Sequence, residues 1–160
     1  MKPSRFFTYL LLILATAGGA IWYIISEYYT RQVEAKTNDT EVVMYKNPDC
    51  QCCDRWADYM QDNGFTVTTN EAPNLPVIKA EHSISQEMAA CHTAFVGGYV
   101  VEGHVPAGDI KRLLNERPKV AGLAVPGMPA SSPGMNIAPD KPFYVYIFDS
   151  LGTARVFAKH

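Results

Sequence analysis

The sequence predicts a mixed α/β fold, in which short strands and helices alternate over most of its 160 residues. Three observations support this fold class. Runs of β-branched and aromatic residues recur, apolar residues at helical spacing lie between them, and Gly or Pro marks the junctions. An apolar content of 48% suffices for one compact domain, which we predict to occupy residues 41–160.

The first part of this domain predicts a strand, a helix, a strand and a helix, over residues 41–46, 54–63, 65–69 and 74–81. Pro48 breaks the first strand, because proline cannot donate to a strand ladder and favours turns. The first helix should bury the residues that recur at helical spacing: Cys53, Trp56, Ala57 and Met60. Gly64 follows its end, where glycine is common. The second helix is less regular because Pro73 and Pro76 interrupt it.

The second part predicts a hairpin, a helix, a long loop and an appended hairpin, over residues 93–102, 106–116, 120–142 and 143–158. The first hairpin is indicated by Gly97-Gly98, a two-residue turn signal between strand-like segments. Pro106 suits the first turn of a helix. The long loop is rich in Gly, Pro and Met and has no period, and a loop of this length in a compact domain is usually functional or disordered.

The N-terminal part divides into a cytoplasmic segment, a membrane span and a linker, over residues 1–5, 6–26 and 27–40. The span contains no charged residue, and as a helix it would be about 31 Å long, enough to cross a bilayer. Lys2 and Arg5 precede it, so we expect a single-pass inner-membrane anchor with the C-terminal domain in the periplasm. The alternative is a signal peptide cleaved at Ala15-Thr16-Ala17, which would release a periplasmic protein.

The charge distribution argues against nucleic-acid binding. The chain has 14 basic and 16 acidic residues, with a formal net charge of −2. No basic stripe runs along the sequence, so we do not expect a nucleic acid as a partner.

Three of the four cysteines, Cys50, Cys52 and Cys53, lie at the predicted junction between the first strand and the first helix. The helix dipole stabilises thiolates at this position. Thiolates so close together repel one another and therefore favour a soft cation or a disulfide. Cys50 and Cys53 alone have the C-x-x-C spacing of a dithiol oxidoreductase, but Cys52 could attack a mixed disulfide. Structural disulfides are less expected because the domain has sufficient core.

The order of elements, with thiols at the first strand–helix junction, resembles the thioredoxin fold. Thioredoxin-like proteins usually place a Pro-Thr pair before the third strand, opposite the redox cysteines. The corresponding segment here is Cys91-His92-Thr93, in which His92 takes the place of the proline. The resemblance implies that Cys91 and His92 face the other three cysteines across a small gap.

The residue types around these cysteines fit a soft metal. Thiolate and thioether ligands select copper(I), whereas zinc prefers thiolate, imidazole and carboxylate. Met128 and Met135 each follow a Pro-Gly dipeptide in the long loop, an unusual position for a packing residue, although methionine also fills irregular gaps in cores. His104 lies between a strand and a helix, and His92 is adjacent to Cys91, so both are candidate ligands.

Five sequence blocks together resemble the CopG-type copper-resistance proteins: residues 45–53, 91–93, 98–106, 122–129 and 132–135. The resemblance covers about residues 41–160 and excludes the predicted anchor. It implies that Cys50, Cys52, Cys53 and Cys91 hold several copper(I) ions in a thiolate-bridged cluster. The further candidate ligands are His104, His92, Met128 and Met135. Gln51 departs from the family pattern as we know it, which often has glycine there.

The CopG resemblance also implies a function in copper resistance, with interconversion of copper(I) and copper(II) as a copper oxidoreductase activity. We expect a copper efflux or oxidase protein as a partner. Two other functions compete with this prediction. A membrane-anchored thiol–disulfide oxidoreductase would use Cys50 and Cys53, and a zinc storage or structural site would bind a metal that is colourless and redox-silent.

Overall fold

The computed structural model describes residues 18–28, 39–135, 137–138 and 141–160. The chain divides into two compact units, residues 1–37 and 38–160. Within the first unit, residues 18–28 form helix α1, whose apolar side chains are exposed; Trp22, for example, is 72% exposed.

Within the described part of the chain, we find no helix with both the length and the apolar character that a membrane crossing requires. Much of the predicted anchor, residues 6–17, lies outside the described residues, as do the predicted cytoplasmic segment 1–5 and residues 29–38 of the predicted linker. The membrane anchor therefore stays a prediction.

Among its described residues, the second unit contains one sheet and three further helices, which confirms the predicted mixed α/β class. In chain order the elements are β1 Glu41–Lys46, α2 Gln51–Asp62, β2 Thr66–Glu71, α3 Leu75–Glu81, β3 His92–Val96, β4 Tyr99–Glu102, α4 Ala107–Glu116, β5 Gly122–Ala124, β6 Tyr144–Phe148 and β7 Ala154–Lys159. α3 forms despite its proline because Pro76 lies in the first turn, where its missing N–H is not needed.

The seven strands lie in the order β2-β1-β3-β4-β5-β6-β7. β1 is parallel to β2 and β4 is parallel to β5, whereas the other neighbours are antiparallel. In the β1–β3 pair, Lys46 at the end of β1 lies opposite His92 at the start of β3. The segment that follows β1 and the residue that precedes β3 therefore meet at the same edge of the sheet.

Helix α2 contributes the predicted apolar face to the core. Cys53, Trp56 and Met60 are fully buried and Ala57 is 6% exposed. Full burial of each large apolar side chain contributes about 1.5–3 kcal/mol, so this face holds α2 firmly against the sheet. The start of α2 is thereby fixed at the edge where β1 ends.

The prediction of a long loop over residues 120–142 is wrong at residues 122–124, because these residues form β5 between β4 and β6. Three residues are too few to show the alternation of apolar and polar side chains that identifies a strand in a sequence. This strand forms because it pairs with β4. A Cβ atom at position 122 would lie 1.8 Å from the carbonyl oxygen of Val100, so only Gly122 permits this close approach. As a result, the last hairpin extends the same sheet.

Candidate metal centre

Residues Cys50–Cys53 form the cysteine turn, which leads from β1 into α2. α2 begins at Gln51, earlier than predicted, so Cys52 and Cys53 lie in its first turn and Cys50 is its N-cap residue. Cys53 is fully buried, whereas Cys50 and Cys52 are partly exposed. A disulfide joins Cys50 to Cys53, and the Sγ atoms of Cys50 and Cys52 are 3.6 Å apart.

The fourth cysteine, Cys91, lies just before β3 and faces the cysteine turn. The Sγ atoms of all four cysteines are within 4.8 Å of one another. Cys52 and Cys91 are free thiols. This convergence is the one that the resemblance to the thioredoxin fold implied.

Two buried histidines line the same pocket. His92 and His104 are fully buried, and their ring centroids are 5.2 Å apart. The His92 ring also lies 4.5 Å from the ring of Trp56, whose indole N–H donates to the carbonyl oxygen of Val105 at 3.0 Å. Packing against Trp56 of α2 therefore fixes the His92 ring, and the His104 ring lies beside it.

The hydrogen bonds of His104 define which of its ring nitrogens carries the proton. Its Nδ1 is 2.6 Å from the carbonyl oxygen of Pro133, which can only accept, so Nδ1 donates. Its Nε2 is 3.0 Å from the Sγ atom of Cys91 and accepts from that thiol. The Nε2 lone pair is thus directed at the sulfurs, as a metal ligand requires.

His92 contributes a second imidazole whose Nδ1 is 3.5 Å from the Sγ atom of Cys91. Its Nε2 is buried and lacks a hydrogen-bond partner among the described residues. One ligand atom each from Cys53, Cys91, His92 and His104 also lies within 4.8 Å of the others. We call the four cysteines and two histidines the Cys–His pocket. Imidazole nitrogens among clustered sulfurs fit a soft or borderline metal ion.

Comparison with solved structures gives two matches, described as "Copper resistance protein copG- Form 1" and "Copper resistance protein copG- Form 2". The first is 35% identical, with a TM-score of 0.71, over 76% of this chain and 98% of that chain. The second is 36% identical, with a TM-score of 0.70, over 75% of this chain and 97% of that chain. The chain belongs to the CopG copper-resistance family.

The CopG resemblance stated from the sequence is therefore confirmed. A family described as "Protein of unknown function, DUF411" also matches residues 88–135, which contain Cys91 and both pocket histidines. None of the curated proteins matches the chain.

Burial determines the protonation of the pocket in this CopG-family chain. It lowers the pKa of His92 well below its usual value, and neighbouring His104 adds to this effect. Burial likewise lowers the pKa of His104, against the opposing effect of the hydrogen bond to Pro133. Burial, together with the nearby Cys52 thiol, raises the pKa of Cys91 to about 12. At neutral pH the imidazoles are therefore neutral and Cys91 is a thiol, which must lose its proton to bind a metal.

Residues 126–135 of the CopG-family chain form the methionine loop, which lies partly against the cysteine turn. The Nε of Arg55 donates to the carbonyl oxygen of Gly134 at 2.7 Å. A Cβ atom at position 134 would lie 2.8 Å from the backbone nitrogen of Trp56, so the loop backbone touches α2. Met135, next to Gly134, is half-buried, whereas Met128 is 56% exposed at the surface.

Several residues that support this pocket in the CopG-family chain were not predicted from the sequence to belong to the site. Arg55 and the carbonyl oxygen of Pro133 hold the methionine loop, and Trp56 packs on His92. Glu102 accepts a hydrogen bond from the backbone N–H of Ala90, next to Cys91. A sequence signal existed only for Glu102, which is an acidic residue at the end of an otherwise apolar strand.

Proposed function

We propose that this chain binds copper(I) through its cysteine sulfurs as part of copper resistance or homeostasis. The observation that carries the proposal is the convergence of four sulfurs, from the cysteine turn and from Cys91, within 4.8 Å of one another. Thiolates are soft ligands that select copper(I), and several of them can share metal ions. Membership of the CopG family supports the same metal.

In this proposal Cys50, Cys52, Cys53 and Cys91 bridge more than one copper(I) ion. His104 is the next ligand because its Nε2 already points at Cys91. His92, Met128 and Met135 are further candidates. Of these three, His92 has the strongest support, since one of its ring nitrogens lies within 4.8 Å of the ligand atoms of Cys53, Cys91 and His104.

The disulfide supports a redox role in addition to binding. Oxidation of the Cys50 and Cys53 thiols to a disulfide releases two electrons and two protons, and reduction of two copper(II) ions to copper(I) takes up two electrons. The step therefore balances, with the disulfide as its oxidised product. The chain would then act as a copper oxidoreductase that interconverts copper(II) and copper(I).

We also infer that the second unit is a thioredoxin-like domain, held at the inner membrane by residues 6–26 and facing the periplasm. The parallel β1–β2 pair, the antiparallel β3–β4 pair and the cysteines at the start of α2 support the first inference. The uncharged N-terminal stretch, and the exposed apolar side chains of α1, support the second. An efflux or oxidase protein is the expected partner for copper transfer.

A second candidate function is thiol–disulfide exchange, which the observed Cys50–Cys53 disulfide at the start of α2 favours. In this alternative Cys50 and Cys53 exchange electrons with protein thiols, and copper has no role. The lack of proline at position 92 weakens it, because that proline helps to dock substrates in the related enzymes.

Anaerobic titration of the fully reduced protein with copper(I), against a chromophoric copper(I) chelator, tests the main proposal. We expect the wild type to bind several equivalents and the Cys52→Ser variant to lose this multi-equivalent binding. His104→Gln should weaken binding, whereas His82→Gln, which changes an exposed histidine, should not. Binding of one equivalent or none by the wild type would contradict a cluster.

Two further measurements separate the alternatives. Copper(II) added to the reduced protein should yield two copper(I) per disulfide formed, whereas formation of the disulfide without copper(I) would rule out the redox step. Disulfide reductase activity that survives Cys52→Ser would favour the exchange enzyme. Zinc rather than copper, found by elemental analysis of protein purified from copper-fed cells, would favour the zinc site.

A further inference from the structure

A carboxylate is buried beside the Cys–His pocket. Glu102, at the end of β4, has a fully buried side chain, and both of its oxygens are engaged. Oε1 accepts from the backbone N–H of Ala90 at 2.6 Å and from the ammonium group of Lys79, and Oε2 accepts from the hydroxyl of Thr93 at 2.7 Å. Lys79, on α3, also donates to the Thr93 hydroxyl at 3.0 Å. These four groups form a closed network.

This network brackets the two pocket residues that precede and begin β3. Ala90 comes immediately before Cys91, and Thr93 comes immediately after His92, so Glu102 holds the segment on both sides. The backbone N–H of the next residue, Gly103, donates to the carbonyl oxygen of His92 at 3.0 Å. Two consecutive residues at the end of β4 therefore hold residues 90–93 at three points.

Fold stability alone does not account for a buried ion pair at this position. Desolvation of two charges costs several kcal/mol, and an apolar pair of similar volume is often equally or more stabilising. Burial also raises the pKa of Glu102, although Lys79 opposes this effect. The geometric result of the pair is the fixed placement of Cys91 and His92.

We propose that Glu102, with Lys79 as its counter-ion, is a positioning residue that directs the Cys91 thiol and the His92 ring at the cysteine turn and thereby sets the affinity for copper(I). The affinity part of this inference rests on the proposed function. The positioning part does not, since it concerns the metal-free protein.

The positioning part is tested by alkylation of the metal-free, disulfide-intact protein, in which Cys52 and Cys91 are the free thiols. Peptide mapping by mass spectrometry reads the two rates separately. In Glu102→Gln, Cys91 should react about fivefold faster relative to Cys52, because the amide nitrogen that replaces one carboxylate oxygen cannot accept, and one of the hydrogen bonds that order this segment is lost. A structural loosening of the whole domain would accelerate both thiols and leave the ratio unchanged.

The matched control is Asp109→Asn, which changes another buried carboxylate that is paired with His160 at 2.6 Å and is not part of the pocket. It should leave the ratio of the two rates unchanged. If Glu102→Gln does not fold by circular dichroism, the Lys79→Gln/Glu102→Gln double variant removes both charges and should give the same relative increase. A ratio equal to that of Asp109→Asn in the folded variant overturns the proposal.

Copper(I) titration of the reduced proteins tests the affinity part. Glu102→Gln should bind copper(I) about tenfold more weakly, in the range found for groups that orient metal ligands, and should shift the thiolate-to-copper absorption bands. Asp109→Asn should leave both unchanged. If the wild type binds no copper(I), the proposed function fails, while the alkylation ratio still decides the positioning role. An unchanged affinity together with an unchanged ratio overturns both parts.

Discussion

Cys50 and Cys52 lie on the partly exposed side of the Cys–His pocket, whereas His92 and His104 are fully buried. The sulfurs can interconvert chemically between a disulfide, thiols and metal-bound thiolates. The imidazoles have no such freedom, because Trp56 packs on one and the carbonyl oxygen of Pro133 fixes the other. The sulfurs are thus the groups whose bonding state can change, whereas the imidazole rings are held in fixed positions.

This difference implies different costs of mutation in the two regions. Changes to the sulfurs should alter metal and redox chemistry with little effect on the fold. Changes to the packing and hydrogen bonds that hold the imidazoles should mainly lower the stability of the fold. Four predictions test this separation, in decreasing order of the change in stability.

Trp56→Ala should destabilise the metal-free protein by about 3–5 kcal/mol, because it leaves a cavity in the core beneath His92. Urea unfolding followed by circular dichroism measures the loss. Trp56→Phe is the control, since it keeps a ring against His92 and loses the hydrogen bond to Val105. A loss below about 1 kcal/mol in the alanine variant would mean that packing does not hold the imidazole side.

Reduction of the Cys50–Cys53 disulfide should lower the free energy of unfolding by about 2 kcal/mol or less, because the bridge closes a loop of only four residues. Unfolding curves with and without a strong reductant give this value. The Cys52→Ser variant, which keeps the bridge, should show the same difference. A loss as large as that in Trp56→Ala would remove the distinction between the two regions.

The metal-free protein should lose stability as the pH falls below 6.5. The pKa values of His92 and His104 lie below 6.5 in the folded state, so in this range the unfolded chain binds more protons. Each histidine then contributes a slope of up to about 1.4 kcal/mol per pH unit, with stability rising as pH rises. Glu102, whose pKa is raised above 4.5, acts in the opposite direction where the pH exceeds 4.5 and the folded chain still binds its proton. His104→Gln should therefore flatten the slope measured by unfolding between pH 5 and 7, and an unaltered slope would exclude His104 as a source.

His92→Leu should change the stability of the metal-free protein by less than about 1 kcal/mol. The substitution removes a buried nitrogen without a partner among the described residues, and this gain offsets the lost ring contact with Trp56. His104→Leu should lose more in the same unfolding assay, because it breaks the hydrogen bond to Pro133. Equal losses in the two variants would contradict the distinct roles of the two rings.

The sequence was informative where the determining interactions are local. β1, the buried face of α2 and the hairpin at Gly97-Gly98 follow from periodicity and turn residues, and the structure contains all three. The meeting of Cys91 with the cysteine turn was expected from a fold resemblance, because no local pattern relates positions so far apart in the chain.

The parts that the sequence left open depend on tertiary contacts. β5 exists because three residues pair with β4, and nothing in Gly122-Leu123-Ala124 alone requires a strand. The attachment of the methionine loop depends on backbone oxygens, which have no sequence signature. The partners of Glu102 come from α3 and from the segment before β3, which are distant in the chain. From the sequence alone, Glu102 could therefore be identified only as the last residue of a strand.

The attachment of the methionine loop through the main-chain oxygens of Pro133 and Gly134 has a consequence for engineering. The side chain of Met128 is 56% exposed and takes no part in this attachment, so a different donor group could be grafted at position 128 without detaching the loop. Position 134 is different, because its φ of +82° and its contact with the Trp56 backbone leave no space for a Cβ atom. A designer could therefore vary position 128 while keeping Gly134 and the buried Ser132.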